Sequence, residues 1–213
     1  MRTSEFFPVA FDIDGIVLDT PTLIWDVVTK ELGLPWKIDK WVDYDIGSII
    51  GVPTRELRPI YEKVLVRDDL PEVPGTFTAL NYLAHCYAQP LLFVTSRRAA
   101  FKDAAVVSIR RQLARDVDFL VVCTDDTCED EFRSDKLGYL KQYAVRLFVE
   151  DNWMHWERYM DNGVDIATLK YPWTTERARQ LNKKGRLVCV LDDWWLLQHF
   201  IVGFVGGLRW KKG

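Results

Sequence analysis

The sequence predicts an α/β fold: a mostly parallel sheet with helices on both faces and a small helical cap inserted after the first strand. Three observations predict it. Short, continuously apolar runs rich in Val, Leu and Phe recur along the chain. Helix-length segments alternate with several of them. One early interval is far longer than a strand crossover needs.

The apolar runs cover residues 8–13, 90–94, 117–123, 145–149, 164–169 and 187–191. Unbroken apolar character over so few residues fits strands buried on both faces, the usual condition of a parallel sheet. Helical segments span 76–87, 99–115, 135–143 and 153–160. Residues 20–73 break the rhythm. A crossover needs only about a dozen residues. This interval holds two helical patterns, 22–32 and 54–66, punctuated by Gly33, Pro35, Gly51 and Pro53. Pro71, Pro74 and Gly75 mark the return. The expected division is a core of residues 1–19 and 74–213 and a cap of residues 20–73 over one end of the sheet.

Composition excludes several functions. Of 213 residues, 48% are hydrophobic and 28% charged, a globular balance, and 9 Trp, 8 Tyr and 11 Phe supply a large core. A net charge of −3 argues against binding a nucleic acid polymer or an anionic membrane. No run approaches the roughly 20 apolar residues of a membrane span; the stretch 194–208 is interrupted by Gln198, His199 and three glycines. Met1 to Glu5 lack a signal-peptide core. Cys86, Cys123, Cys128 and Cys189 show no CxxC spacing, so reduced thiols and a cytoplasmic location are expected. His85, His155 and His199 read as core or surface residues.

The chemistry starts where the first run ends, at Phe11-Asp12-Ile13-Asp14-Gly15. Strand side chains alternate, so Asp12 and Asp14 point one way and Ile13 the other. Gly15 permits a sharp exit. Open α/β sheets bind ligands beyond the carboxyl ends of their strands. At an effective dielectric near 20, two carboxylates about 4 Å apart repel by about 4 kcal/mol. A divalent cation is the simplest remedy, and hard oxygen ligands suit Mg²⁺. Strand termination with turn capping is the competing reading of this motif alone.

Three more strand ends add to it. Thr95-Ser96 ends the second run before a helix, where a hydroxyl and helix amides can hold phosphate; capping by Ser96 is the alternative. Arg97 and Arg98 either touch the substrate or are simply solvated charge. Lys136 follows a plausible N-cap, Ser134, and its ammonium opposes the helix dipole unless it faces an anion. Lys141 competes but lies more than a turn further on. Glu150-Asp151 follows the fourth run. The 15 residues from Lys136 to Asp151 allow one helix outward and one strand back, so both reach the same sheet edge. Asp125-Asp126 precedes the lysine, and Asp192-Asp193 follows a more peripheral strand, so neither acidic pair fits as well. The acidic stretch 125–135 reads as a solvated loop that disfavours highly anionic substrates.

In this order, Asp12-Ile13-Asp14-Gly15 with Asp19-Thr20 behind it, Thr95, Lys136 and Glu150-Asp151 resemble the four motifs of the haloacid dehalogenase (HAD) superfamily of phosphohydrolases. The resemblance runs from Phe7 to about Trp173 and leaves the tail unassigned. The long insertion resembles a type I cap. The resemblance implies a Rossmann-like core, Mg²⁺ and an aspartyl-phosphate intermediate. Asp14 stands where superfamily dehalogenases lack an aspartate, which favours phosphoryl transfer; Ile16 departs from the Thr of many members. By the same resemblance Asp12 is the nucleophile and Asp14 the general acid and base. Asp12, Asp14 through its carbonyl, Asp151, and Glu150 through water hold Mg²⁺, and Thr95, Ser96 and Lys136 hold the phosphate oxygens.

The expected substrate is a small phosphorylated metabolite: a nucleoside monophosphate, as in superfamily nucleotidases, or a sugar phosphate or phosphoglycolate-like compound. Trp25, Trp36, Trp41, Tyr44 and Tyr61 either contact it or form the cap's own core. The alternative is a catalytically quiet binding protein using its Trp-rich later segments. A receiver-like phosphoacceptor is disfavoured by the insertion and by Asp14.

Overall fold

The computed structural model describes residues 7–124 and 136–210. In chain order its elements are β1 (Val9–Phe11), α1 (Thr20–Glu31), α2 (Ile46–Ile50), α3 (Thr54–Leu65), α4 (Thr76–Tyr87), β2 (Leu91–Thr95), α5 (Lys102–Gln112) and β3 (Phe119–Cys123). Then follow α6 (Leu137–Gln142), β4 (Leu147–Val149), α7 (Trp156–Asp161), β5 (Asp165–Leu169), α8 (Pro172–Lys183), β6 (Val188–Leu191) and α9 (Trp194–Trp210). The strands coincide with the six apolar runs. Ser134, Asp125-Asp126, Cys128 and the acidic stretch 125–135 lie outside the described residues.

The strands form one sheet of order β3-β2-β1-β4-β5-β6, and every pairing is parallel. Burial on both faces holds for β1, β2 and β4 but not for β3 and β6, which are half-buried. Those two are the sheet edges, each with a neighbour on one side only.

Strand alternation sorts the core into two layers. Phe11, Phe93 and Val149 face one cluster with Leu80 of α4, Ile109 of α5 and Leu197 of α9. Ala10, Leu92, Phe148 and Ile166 face the other, with Leu140 of α6, Trp156 of α7 and Leu181 of α8. Among the described residues no helix is long and apolar enough to cross a membrane.

Residues 20–73 form a third cluster. Asp19 starts α1 by accepting the Thr22 N–H at 3.3 Å, and Pro21 suits the first helical turn. Trp25, Val28, Ile46, Leu57 and Tyr61 pack together, joined by Trp173 from α8. The chain enters and leaves this layer through a short two-stranded crossing. There the Asp19 N–H donates to the Pro71 carbonyl at 2.9 Å and the Val73 N–H to the Val17 carbonyl at 3.0 Å.

The segment beyond Trp173, unassigned in the sequence, is part of the core. It supplies β6 and α9, and α9 packs on α4. Trp194 is fully buried, its ring lies 5.8 Å from that of Phe11, and its indole N–H donates to the Ile16 carbonyl at 2.8 Å. The tail therefore backs the loop that carries Asp14. Trp194→Ala is expected to cost about 3–5 kcal/mol of unfolding free energy in urea. Trp194→Phe keeps most of the packing but strands the carbonyl, for about 1–3 kcal/mol. Equal midpoints for wild type and Trp194→Ala would refute this supporting role.

Candidate active site

The carboxyl edge of the sheet carries the site. The Asp12 N–H continues the β1 ladder to the Val149 carbonyl at 2.8 Å, which fixes the residue beside β4. The chain then turns at Gly15, with φ of +75°, a conformation a side chain resists. A Cβ there would sit 2.5 Å from Asp151 Oδ2, so the absent side chain is also what lets Asp151 lie against the loop. From α8's entry, the Tyr171 hydroxyl donates to the Gly15 carbonyl at 2.7 Å.

Lys136 is buried at the start of α6. Its Nζ lies 2.9 Å from Asp12 Oδ1 and 2.7 Å from Glu150 Oε2, and 5.2 Å from the centre of the Phe148 ring. Burial opposes its charge, but Asp12 and Glu150 hold its pKa above the usual lysine value. The fifteen-residue spacing between Lys136 and Asp151 thus does return both to one edge. Lys141 is exposed, and so are Asp192 and Asp193. Asp192 pairs with Lys170, and Asp193 accepts the Leu196 N–H at the start of α9.

Glu150 and Asp151 divide the work. Both Glu150 oxygens are engaged: Oε2 by Lys136 and Oε1 by the Asn152 N–H at 2.9 Å. Asp151 Oδ1 is buried without a hydrogen-bond partner. One carboxylate oxygen each from Asp12, Glu150 and Asp151 lie within 4.8 Å of one another. Burial and then the Glu150 charge push the Asp12 carboxyl well up, with Lys136 pulling back. Burial and Asp12 push Asp151 well up, and burial raises Glu150 against the pull of Lys136. Among the described residues one ammonium, that of Lys136, therefore stands against these three carboxyl groups.

Thr95 and Ser96 are at the same edge. Thr95 is fully buried and its hydroxyl accepts the Arg97 N–H at 3.2 Å; Ser96 is half-buried and lines the cleft. The reading of Arg97 as solvated charge is overturned. Its side chain is 1% exposed and grips Asp14 with two bonds, Nε to Oδ2 at 2.9 Å and Nη2 to Oδ1 at 2.7 Å. The Thr20 hydroxyl donates a third, at 2.7 Å to Oδ1. Burial opposes it, yet Arg97 and Thr20 hold the Asp14 carboxyl below the usual range. Arg98 instead pairs with Glu62 of α3 at 3.7 Å.

Among the described residues, four buried or half-buried carboxylates thus face two cations, and the unpartnered Asp151 oxygen belongs to a cluster with Asp12 and Glu150 that could hold a metal ion. Hard oxygen donors of this kind suit Mg²⁺. Asp12 and Asp151 fit as direct ligands; Glu150 fits as the partner that holds Lys136.

Above the edge, α1–α3 close a cleft of about 750 Å³ counting its open mouth, lined from their side by Ile24, Trp41, Tyr44, Tyr61 and Leu65. Trp25 is buried in the cluster behind, and Trp36 is on the surface.

No family model and no curated protein sequence matches the chain. Solved structures do. An HAD family hydrolase from Deinococcus radiodurans, holding phosphate and sodium, shares 14% identity over 92% of this chain and 94% of its own, with a TM-score of 0.56. A haloacid dehalogenase-like hydrolase from Streptococcus pneumoniae shares 14% over 93% of this chain and all of its own, with a TM-score of 0.60. A protein from Bacillus subtilis assigned as an HAD-hydrolase and bound to magnesium shares 12% over 92% and 98%, with a TM-score of 0.50. The chain has the HAD fold.

Two measurements check this charge accounting. Mg²⁺ is expected to raise the melting temperature, and Asp151→Asn to remove most of that response; an unchanged response in the variant would remove Asp151 from the cation site. Arg97→Ala is expected to cost roughly 2–3 kcal/mol, somewhat less than a fully buried pair because Asp14 keeps some solvent contact. In a double-mutant cycle Asp14→Asn should recover part of that loss. Strict additivity would mean the two side chains do not interact.

Proposed function

We propose that the protein is a Mg²⁺-dependent phosphatase that hydrolyses a small phosphate monoester through an aspartyl-phosphate intermediate. The observation that carries the reading is the pairing of Asp12 with buried Lys136 beside the under-compensated Asp151 carboxylate. A fixed ammonium next to a carboxylate nucleophile is what an incoming phosphate dianion requires. The likeness of fold to hydrolases that hold phosphate or magnesium supports it. In this reading residues 20–73 are the cap, the protein works in the cytoplasm, and the substrate is a nucleoside monophosphate or a sugar phosphate.

In the first step a carboxylate oxygen of Asp12 attacks phosphorus, the ester P–O bond breaks, and the leaving oxygen takes a proton from Asp14. In the second, water attacks phosphorus and gives its proton to Asp14, and the bond to Asp12 breaks, releasing inorganic phosphate. Asp14 ionised and gripped by Arg97 is in the state that accepts the water proton. Donating a proton requires the same carboxyl to turn away from the guanidinium. Lys136, the Thr95 hydroxyl and the Ser96 amide balance charge on the transferring oxygens. Asp12, Asp151 and the Asp14 carbonyl would hold Mg²⁺, which supplies further charge stabilisation to the phosphoryl group when bound.

Asp12→Asn is expected to keep its fold by circular dichroism and lose Mg²⁺-dependent turnover of 4-nitrophenyl phosphate by about 10³ or more. Undiminished turnover would eliminate the nucleophile. Asp14→Asn should slow alkyl phosphates more than the nitrophenyl ester, whose leaving group needs no proton; equal losses would count against the acid role.

A further inference from the structure

Resting on the phosphatase reading, we infer that the alcohol portion of the substrate carries a planar aromatic ring and no second charged group. Two independent features of the cleft lead there.

The first is the cation inventory. Among the described residues, the positive groups at the cleft are Lys136 and Arg97. Lys136 is committed to Asp12 and Glu150, and Arg97 to both oxygens of Asp14. The remaining guanidinium nitrogen, Arg97 Nη1, is buried and has no hydrogen-bond partner, but the charge it belongs to is already matched by Asp14. The residues lining the cleft from α1–α3 and their connections include no Lys, Arg or His. A carboxylate or second phosphate on the alcohol portion would enter a site already short of positive charge, with no counter-ion to meet it. Among the described residues nothing therefore favours bisphosphates or phosphorylated hydroxy acids such as phosphoglycolate.

The second is the wall itself. Tyr44 lines the cleft together with Asp12, Asp14 and Asp151, and burial with the charges of Asp151, Glu150 and Asp12 pushes its phenol up. Tyr61, Ile24 and Leu65 continue the apolar surface. Trp41 packs against two other rings, Trp25 at 5.7 Å and Trp173 at 4.9 Å between ring centres. Its Nε1 is buried without a hydrogen-bond partner in a residue that lines the cleft. A buried indole N–H normally finds an acceptor. An apolar slot with one unsatisfied donor suits a flat ring bearing an acceptor atom. It suits a sugar poorly, because a sugar's several hydroxyls would lose water without replacement bonds.

The experiment is a kcat/KM panel with Mg²⁺. Acetyl phosphate, which has no ring, reports on the phosphatase reading alone. Nucleoside 5′-monophosphates and 4-nitrophenyl phosphate are compared with glucose 6-phosphate and phosphoglycolate. The expected result is a preference of at least about tenfold for the ring-bearing esters. Tyr61→Leu should reduce the ratio of ring-ester to acetyl phosphate kcat/KM about tenfold, the scale of one lost ring contact. Unphosphorylated nucleoside should quench tryptophan fluorescence in Asp12→Asn, a readout independent of turnover. Efficient hydrolysis of glucose 6-phosphate or phosphoglycolate at the expense of the ring esters would overturn the inference and leave the phosphatase reading standing. No Asp12-dependent turnover of any of the five would overturn both.

Discussion

The structure depends on how buried negative charge is balanced at one edge of the sheet. Asp12, Asp14, Glu150 and Asp151 are brought together by the ends of two adjacent central strands, β1 and β4, and among the described residues Lys136 and Arg97 oppose them. Lys136 is shared between Asp12 and Glu150, and Arg97 holds both oxygens of Asp14. Carboxyl groups with raised pKa are the visible symptom. A cluster of this kind could hold a metal ion, and by Coulomb's law an anion would approach it more easily with the ion in place than without.

The rest of the molecule serves to hold that arrangement still. The all-parallel order puts β1 in the interior, where neighbours on both sides fix the backbone of Asp12. The loop beyond it is braced from two later segments, at Gly15 by Tyr171 and at Ile16 by Trp194. The stacked Tyr171 and Trp173 rings, 4.4 Å apart, extend through Trp41 to Trp25, so one aromatic column joins the sheet layer to the helices above the cleft.

Much of this was legible in the sequence because it follows from local rules. Apolar runs placed the strands, period-two alternation placed Asp12 and Asp14 together, and chain length returned Asp151 to the edge of Lys136. The burial of Arg97 was not legible. Nothing in Thr95-Ser96-Arg97-Arg98 distinguishes the two arginines; the distinction is made by Asp14, 83 residues away. Glu150 and Asp151 likewise look equivalent until the position of the Lys136 ammonium decides which one keeps an open oxygen. Helix α9 was hidden for another reason: its buried residues are interleaved with Trp195, His199 and Val202 on the surface, so its buried face does not stand out in a stretch with apolar residues on every side.

The bracing of adjacent carbonyls in the first loop by residues 171 and 194 has a consequence for biosynthesis. During translation the loop precedes its two anchors, Tyr171 by 156 residues from Gly15 and Trp194 by 178 residues from Ile16. Until those residues have been made, the acidic loop lacks both of these hydrogen bonds.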